Sequence, residues 1–281
     1  MFSQQTRHIT FAVGGLITFI VLAGVTYQSV ATALERRQFP HPGRLIDVGG
    51  RQLHIHCIGE GAPTVVLEAP AAGVSVGWAW VQDDLAKTTR VCSYDRAGLG
   101  WSEAGEGGFR AGRVPDELHT LLERAGERGP FVIAGHELGA SFARMYARRY
   151  RSETAALVLI DEPESPANGL PRMVSAWPWL ARIGFLRATR ALSRHASGLP
   201  VESGGAARAF LNRPDHLTRA AVEISRLSDT VKLADTPFDG TLPVSLVVTT
   251  QPSQPPALLD SVDRAREVTR GIEEAVKRVR R

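Results

Sequence analysis

Apolar and polar positions along this chain follow patterns that predict a mostly parallel β-sheet covered by helices. Short, nearly continuous apolar runs suit strands buried on both faces, and they occur at residues 64–69, 90–95, 130–135 and 156–161. Between them lie stretches of helical periodicity, such as residues 114–126, where the leucines share one face and a glycine follows. Strands that alternate with helices through short connections predict an α/β domain.

Both ends of this domain fit the same pattern. Residues 45–49 and 51–59 flank Gly49-Gly50 and predict a hairpin. Residues 242–250 predict a further strand, and residues 260–281 a helix. No convincing eighth strand follows residue 250. We therefore expect the domain to occupy residues 44–281 and to have lost its last strand.

The middle of the domain, about residues 162–240, breaks the alternation. It is rich in Pro, Arg and Trp, with helical pieces around residues 175–195 and 205–232. This composition predicts a helical lid inserted over the sheet.

The N-terminus predicts a membrane anchor. Residues 9–27 carry no charge, and none appears until Glu35. About 19 apolar residues span a hydrocarbon core of about 30 Å. A cleaved signal peptide is the alternative, since residues 31–33 read Ala-Thr-Ala, but the apolar run exceeds the usual 7–15 or so residues. We expect an anchor over residues 1–34, a linker over 35–43, and the domain outside the cytoplasm.

Composition narrows the function classes. The 281 residues are 43% hydrophobic and 22% charged, which is typical of a globular protein. The net charge is +4, and the basic residues are scattered along the sequence, so they do not indicate a nucleic-acid-binding surface. No zinc spacing, P-loop or dinucleotide motif is present, so we expect no cofactor. Cys57 and Cys92 lie in predicted strands, either as buried thiols or, in an exported domain, as a disulfide.

The candidate chemistry centres on residues 131–142, FVIAGHELGASF. A strand, a G-x-?-x-G turn and a helix form the layout of a nucleophile elbow, whose central residue is normally serine. Here the central residue is Glu137. Gly135 and Gly139 would let strand and helix approach closely, and the Leu138 N–H would point at an oxyanion.

Residues 94–102, YDRAGLGWS, strengthen this interpretation. With them, the chain resembles the α/β-hydrolase fold superfamily, specifically bacterial members with an N-terminal membrane segment. The resemblance is dense over residues 42–161 and loose through the lid. It implies a Ser–His–acid mechanism that cleaves esters or amides, with two backbone N–H groups holding the oxyanion.

Four departures from that family pattern stand out. Glu137 replaces the serine, and no histidine follows His216, which lies in the predicted lid. Pro70, which has no N–H, occupies a usual glycine position in the oxyanion loop and leaves Ala71 as the candidate donor. Asp161 stands where some members carry the acid, but without a histidine it reads as a turn or cap residue. Glu162 and Glu164 would make the mouth acidic and raise the pKa of Glu137.

These departures predict a fold whose serine chemistry is disabled. We hypothesise that the Glu137 carboxylate accepts hydrogen bonds from Ala71 and Leu138 N–H in the oxyanion pocket. The protein would then bind a small apolar ligand, in a pocket lined by Trp78, Trp80, Trp177 and Trp179. The alternative is an active hydrolase that uses Glu137 as a carboxylate nucleophile, as aspartate acts in haloalkane dehalogenases and epoxide hydrolases, or that takes a base from elsewhere.

Overall fold

The computed structural model describes residues 4–105, 107–163, 172–196, 198–235, 242–249 and 261–281. Within them, a single sheet contains seven strands in the order β1-β2-β4-β3-β5-β6-β7. The strands are β1 Arg44–Asp47, β2 Gln52–Ile58, β3 Val65–Glu68, β4 Val91–Tyr94, β5 Phe131–His136, β6 Thr154–Ile160 and β7 Val244–Val247. All seven predicted strands are present.

The sheet is antiparallel at one edge and parallel elsewhere. β1 and β2 form the predicted hairpin, β2 pairs antiparallel with β4, and the pairs from β4 to β7 are parallel. Cys57 on β2 lies opposite Cys92 on β4, and the two sulfurs are bonded. The disulfide alternative is therefore the one that the structure contains.

The described residues contain ten α-helices. They are α1 Gln4–Gln38, α2 Ala79–Leu85, α3 Val114–Ala125, α4 Leu138–Arg149, α5 Trp177–Arg182, α6 Phe185–Thr189, α7 Val201–Phe210, α8 Pro214–Ser225, α9 Leu227–Ala234 and α10 Val262–Val279. The apolar faces of α3 and α4 cover one side of the sheet, while α2 and α10 cover the other. Helix α3 ends at Gly126, whose φ of 80° provides the left-handed cap.

The predicted lid is helical, as expected. Helices α5 to α9 occupy it, and α7 and α8 pack against Leu138 and Phe142 of α4 beside the carboxyl end of β5. After β7, the described residues contain helix α10 and no strand. The predicted absence of an eighth strand falls partly on residues 250–260, outside the described residues.

Helix α1 is longer than the predicted anchor. It continues through Glu35 to Gln38, so the first part of the predicted linker is helical. Its segment His8–Gln38 is long and apolar enough to cross a membrane by length and composition, criteria that a signal sequence also meets.

Candidate active site

Glu137 occupies the sharp turn between β5 and α4. Its φ of 48° and ψ of −117° strain any residue that has a β-carbon. Its N–H donates to Ile160 O and its carbonyl accepts from Ala140 N–H, both at 2.9 Å, so the turn joins the sheet ladder directly to the helix. The Glu137 side chain is half-buried, whereas its neighbours His136 and Leu138 are fully buried. The sequence-predicted elbow is thus present, with a carboxylate in its central position.

The two flanking glycines serve close backbone approach. A β-carbon on Gly139 would collide with the carbonyl oxygens of Glu68 and Ala69. One on Gly135 would collide with the Gly139 carbonyl. These contacts bring the start of α4 against the ends of β3 and β5, which is the packing that the motif predicts.

The loop after β3, residues 69–73, is held by the buried side chain of Arg96. Its guanidinium donates to the Ala69 carbonyl at 2.6 Å and to the Pro70 carbonyl at 2.7 Å. Gly73 N–H also donates to the Pro70 carbonyl, at 2.9 Å. Ala71 lies in the same apolar cluster as Leu138. Both residues thus belong to the apolar cluster beside the elbow, and their role as oxyanion donors stays a prediction.

Arg96 lies between two buried carboxylates. Its Nη1 donates to Glu68 at 2.6 Å, while its Nε and Nη2 donate to Glu223 at 3.0 and 2.8 Å. Glu223 comes from lid helix α8, and its Oε2 also accepts from Ala72 N–H at 3.4 Å. Tyr94 donates its hydroxyl to Glu68. This buried network ties the lid to the loop after β3.

Glu223 has two cationic partners, Arg96 and Arg219, whereas Glu68 has only Arg96 among the described ion pairs, and the pKa values of the two carboxyls differ accordingly. Burial raises the pKa of Glu68 to about 7, against the opposing effects of Arg96 and Tyr94. Burial also acts to raise the pKa of Glu223, but the charge and hydrogen bonds of Arg96 outweigh it and lower that pKa. Glu223 is therefore the ionised partner of Arg96, and Glu68 titrates near neutral pH.

Asp161, the candidate acid, is bound to the end of β7. Its two carboxylate oxygens accept from Thr249 N–H and Thr249 Oγ1, each at 2.7 Å. His136 Nε2 lies 3.4 Å from Oδ2, and the Arg264 guanidinium lies 3.6 Å away. Burial opposes ionisation, but hydrogen bonds from His136 and Thr249 lower the pKa of Asp161 to about 2. With a φ of 45°, Asp161 also forms the turn at the end of β6.

Comparison with known proteins agrees with this architecture. The profile of the α/β hydrolase fold matches residues 61–216, just over half of the chain. The chain belongs to this family. Among solved structures, this α/β-hydrolase chain is similar to a thermophilic esterase from Thermogutta terrifontis, with a TM-score of 0.61 and 19% identity over 84% of this chain and 97% of the esterase. At that identity the likeness shows the fold alone.

Two curated relatives match shorter regions of this α/β-hydrolase chain. An uncharacterised Schizosaccharomyces pombe protein is 36% identical over 81 residues, 29% of this chain and 15% of that protein. An uncharacterised vacuolar membrane protein of Saccharomyces cerevisiae is 26% identical over 130 residues, 39% of this chain and 20% of that protein. The chain therefore spans less than a quarter of the length of either relative.

The α/β-hydrolase mechanism implied by the resemblance needs an imidazole beside the elbow. Among the histidines with described partners, His54 contacts Asp95, His119 contacts Glu153, and His136 contacts Asp161. His216 accepts the Gly100 N–H at 3.2 Å, and burial lowers its pKa to about 4. His216, on lid helix α8, is thus held neutral against the loop after β4, and the side chain of His195 lies outside the described residues.

The structure differs from two expectations for the surroundings of the elbow, namely an acidic mouth and a pocket lined by four tryptophans. Glu162 is paired with Arg144, which offsets its charge, and Glu164 lies outside the described residues. Trp78 is buried in the core against the sheet, whereas Trp179 is largely exposed, so the four tryptophans do not line one pocket. A cavity of about 410 Å³ lies beside the loop after β4, and Glu137 is not among its lining residues.

Proposed function

We propose that this protein is a membrane-anchored member of the α/β-hydrolase family that does not catalyse serine-type hydrolysis. The observation that carries the proposal is Glu137 in the strained central position of the elbow. A serine there would form an acyl-enzyme after losing its proton to histidine. A carboxylate is a poor nucleophile toward an ester carbonyl, so this route is closed.

The surroundings of Asp161 support the same conclusion. An acid that orients a catalytic histidine must hold an imidazole directed at the nucleophile. Asp161 instead contacts His136, a fully buried ring that lies 6.1 Å from the Trp78 ring on the side of the sheet covered by α2 and α10. The loss of one member of a triad already costs several orders of magnitude in rate.

Contacts of α1 support retention of the N-terminal helix as an anchor. Gln28 donates to the Asn212 carbonyl at 2.8 Å, and Glu35 forms an ion pair with Arg187 on α6. Cleavage after residue 33 would remove the first of these contacts. The helix is therefore part of the packed structure, and we assign the protein to a membrane as a single-pass anchor. A small apolar molecule remains our proposed ligand for the elbow region.

A fluorophosphonate probe tests the absence of a serine nucleophile. The full chain in phospholipid nanodiscs is incubated with the probe, and the intact mass is measured. We expect no adduct. An adduct that disappears in Ser141→Ala would identify the nearest serine as a nucleophile and overturn the proposal.

The carboxylate-nucleophile alternative has its own test. The same nanodiscs are assayed with a haloalkane and with an epoxide, before and after the substitution Glu137→Gln. We expect no turnover in either form. Turnover that is lost in Glu137→Gln would replace our proposal with alkyl-enzyme chemistry at Glu137.

A further inference from the structure

Helix α1 has two halves with different surroundings. From Ile9 to Ala23 every side chain is exposed. From Gly24 onward one face packs against the lid, with residues 24, 28, 31, 32 and 35 partly or fully buried. The first close contact is at Gly24, where a β-carbon would collide with the Ile183 carbonyl.

The exposed half of α1, residues 9–23, is too short to cross a bilayer alone. About 15 exposed residues rise about 22 Å at 1.5 Å per residue, whereas the hydrocarbon core is about 30 Å thick. A span of about 20 residues that starts at Ile9 ends at Gln28. The membrane boundary then lies at the level where α1 already contacts the lid.

The part of the lid at this level is the lid tip, which we define as residues 177–187. It comprises α5, the turn at Ile183-Gly184 and the start of α6. Three of its apolar side chains are exposed: Trp179 by 70%, Ile183 by 40% and Phe185 by 49%. Pro178, Ala181 and Leu186 are buried and hold the tip on the domain.

The chemistry of the lid tip matches a membrane interface. Tryptophan and tyrosine are enriched at the headgroup level, and the exposed Tyr27 of α1 lies against Gly184. Arg182 stacks over the Trp179 ring at 4.9 Å, so a charged head accompanies the apolar ring. The polar contact of Gln28 with Arg187 lies one helical turn beyond Gly24, on the side of the domain.

We infer that the lid tip inserts into the lipid bilayer interface beside α1, through Trp179, Ile183 and Phe185. The inference rests on the proposed membrane anchor. The tip and the α1 contact zone together supply the roughly 8 Å of apolar depth that the exposed half of α1 lacks. The lid is thereby held at the membrane surface.

Site-directed spin labelling tests the inference in the full chain. Cys57 and Cys92 are bonded to each other, so a nitroxide attaches only to an introduced cysteine. The label is placed at Trp179→Cys or Phe185→Cys in nanodiscs of phosphatidylcholine and phosphatidylglycerol. Val201→Cys is the matched control, because Val201 is 87% exposed on lid helix α7 and lines a cavity with Pro42, beyond the end of α1. Phe19→Cys reports on the anchor itself.

We expect oxygen, which partitions into the bilayer, to relax the labels at 179 and 185. We expect a water-soluble nickel chelate to relax these two labels several-fold less than it relaxes the label at 201. Equal nickel accessibility at 179, 185 and 201, with the label at 19 protected, would refute the insertion of the lid and leave the anchor intact. A water-accessible label at 19 would refute the anchor and this inference together.

Discussion

The strained backbone of Glu137 makes a quantitative prediction about stability. With φ 48° and ψ −117°, this residue adopts a conformation in which a β-carbon is unfavourable and glycine is not. We compare Glu137→Ala with Glu137→Gly. Both variants lose the carboxylate and its interactions, and only the glycine variant also loses the β-carbon, so the difference between them isolates the strain.

The expected magnitude follows from two opposing contributions. Relief of backbone strain stabilises the glycine variant by about 1–3 kcal/mol. The greater freedom of glycine in the unfolded chain costs about 0.5–1 kcal/mol. Glu137→Gly should therefore be more stable than Glu137→Ala by roughly 1 kcal/mol, which is about 2–4 °C in Tm for a domain of this size.

Glu123 provides the matched control. It is an exposed glutamate within α3, where the backbone is helical. At such a position glycine is less stable than alanine by about 1 kcal/mol. The order of the two variants should thus reverse between positions 123 and 137.

Thermal unfolding of the full chain in dodecyl maltoside micelles, followed by near-ultraviolet circular dichroism, measures all four variants. If glycine is less stable than alanine at position 137 as well as at 123, the elbow does not hold Glu137 in a strained conformation.

Three further predictions concern the residues around the elbow. Glu223→Gln removes the carboxylate that pairs with Arg96 and Arg219 and leaves Arg96 with Glu68 alone. It should lower the free energy of unfolding in urea by about 1–3 kcal/mol; no measurable loss would mean that the ion pair is not what ties the lid to the loop. Asp161 has its pKa lowered to about 2, so the stability it contributes is present above its ordinary pKa and is lost as pH falls from about 4 to 2. Asp161→Asn should flatten the stability profile in that window, and an unchanged acid profile would contradict the assignment. Gly139→Ala should destabilise the protein by about 1–3 kcal/mol through its collision with β3, whereas Gly112→Ala, whose β-carbon has 3.9 Å to its nearest neighbour, should change stability little.

The sheet and the elbow were predictable because their signals are local. Continuous apolar runs mark the buried parallel strands, and Gly135 and Gly139 mark the close approach of β5 and α4. The same holds for the end of α3, where Gly126 adopts the left-handed conformation that the pattern predicts.

The buried charge network was not predictable in the same way. Arg96 and Glu223 are 127 residues apart, and no spacing rule connects them. The signals in the sequence were Glu68, near the end of the apolar run at residues 64–69, and an arginine within YDRAG. A charged residue in an otherwise apolar strand indicates that a buried partner exists, but it does not identify which residue that partner is.

The end of α1 differed from the prediction for an identifiable reason. Charge and Pro40 suggested a linker from residue 35, but Glu, Arg and Gln are good helix formers, and the helix continues until the residues before the proline. The tryptophans were assigned to one pocket from composition, whereas their positions place Trp78 in the core and Trp179 on the surface.

Ester hydrolysis by Glu137→Ser tests the central claim most directly. The variant restores the nucleophile that the family mechanism needs, at the backbone position that holds it. In nanodiscs with p-nitrophenyl butyrate, we predict a rate equal to that of buffer alone, because under our proposal no imidazole is placed to accept the serine proton. Saturable turnover that a fluorophosphonate abolishes would contradict the account, because a working base would then be present beside the elbow.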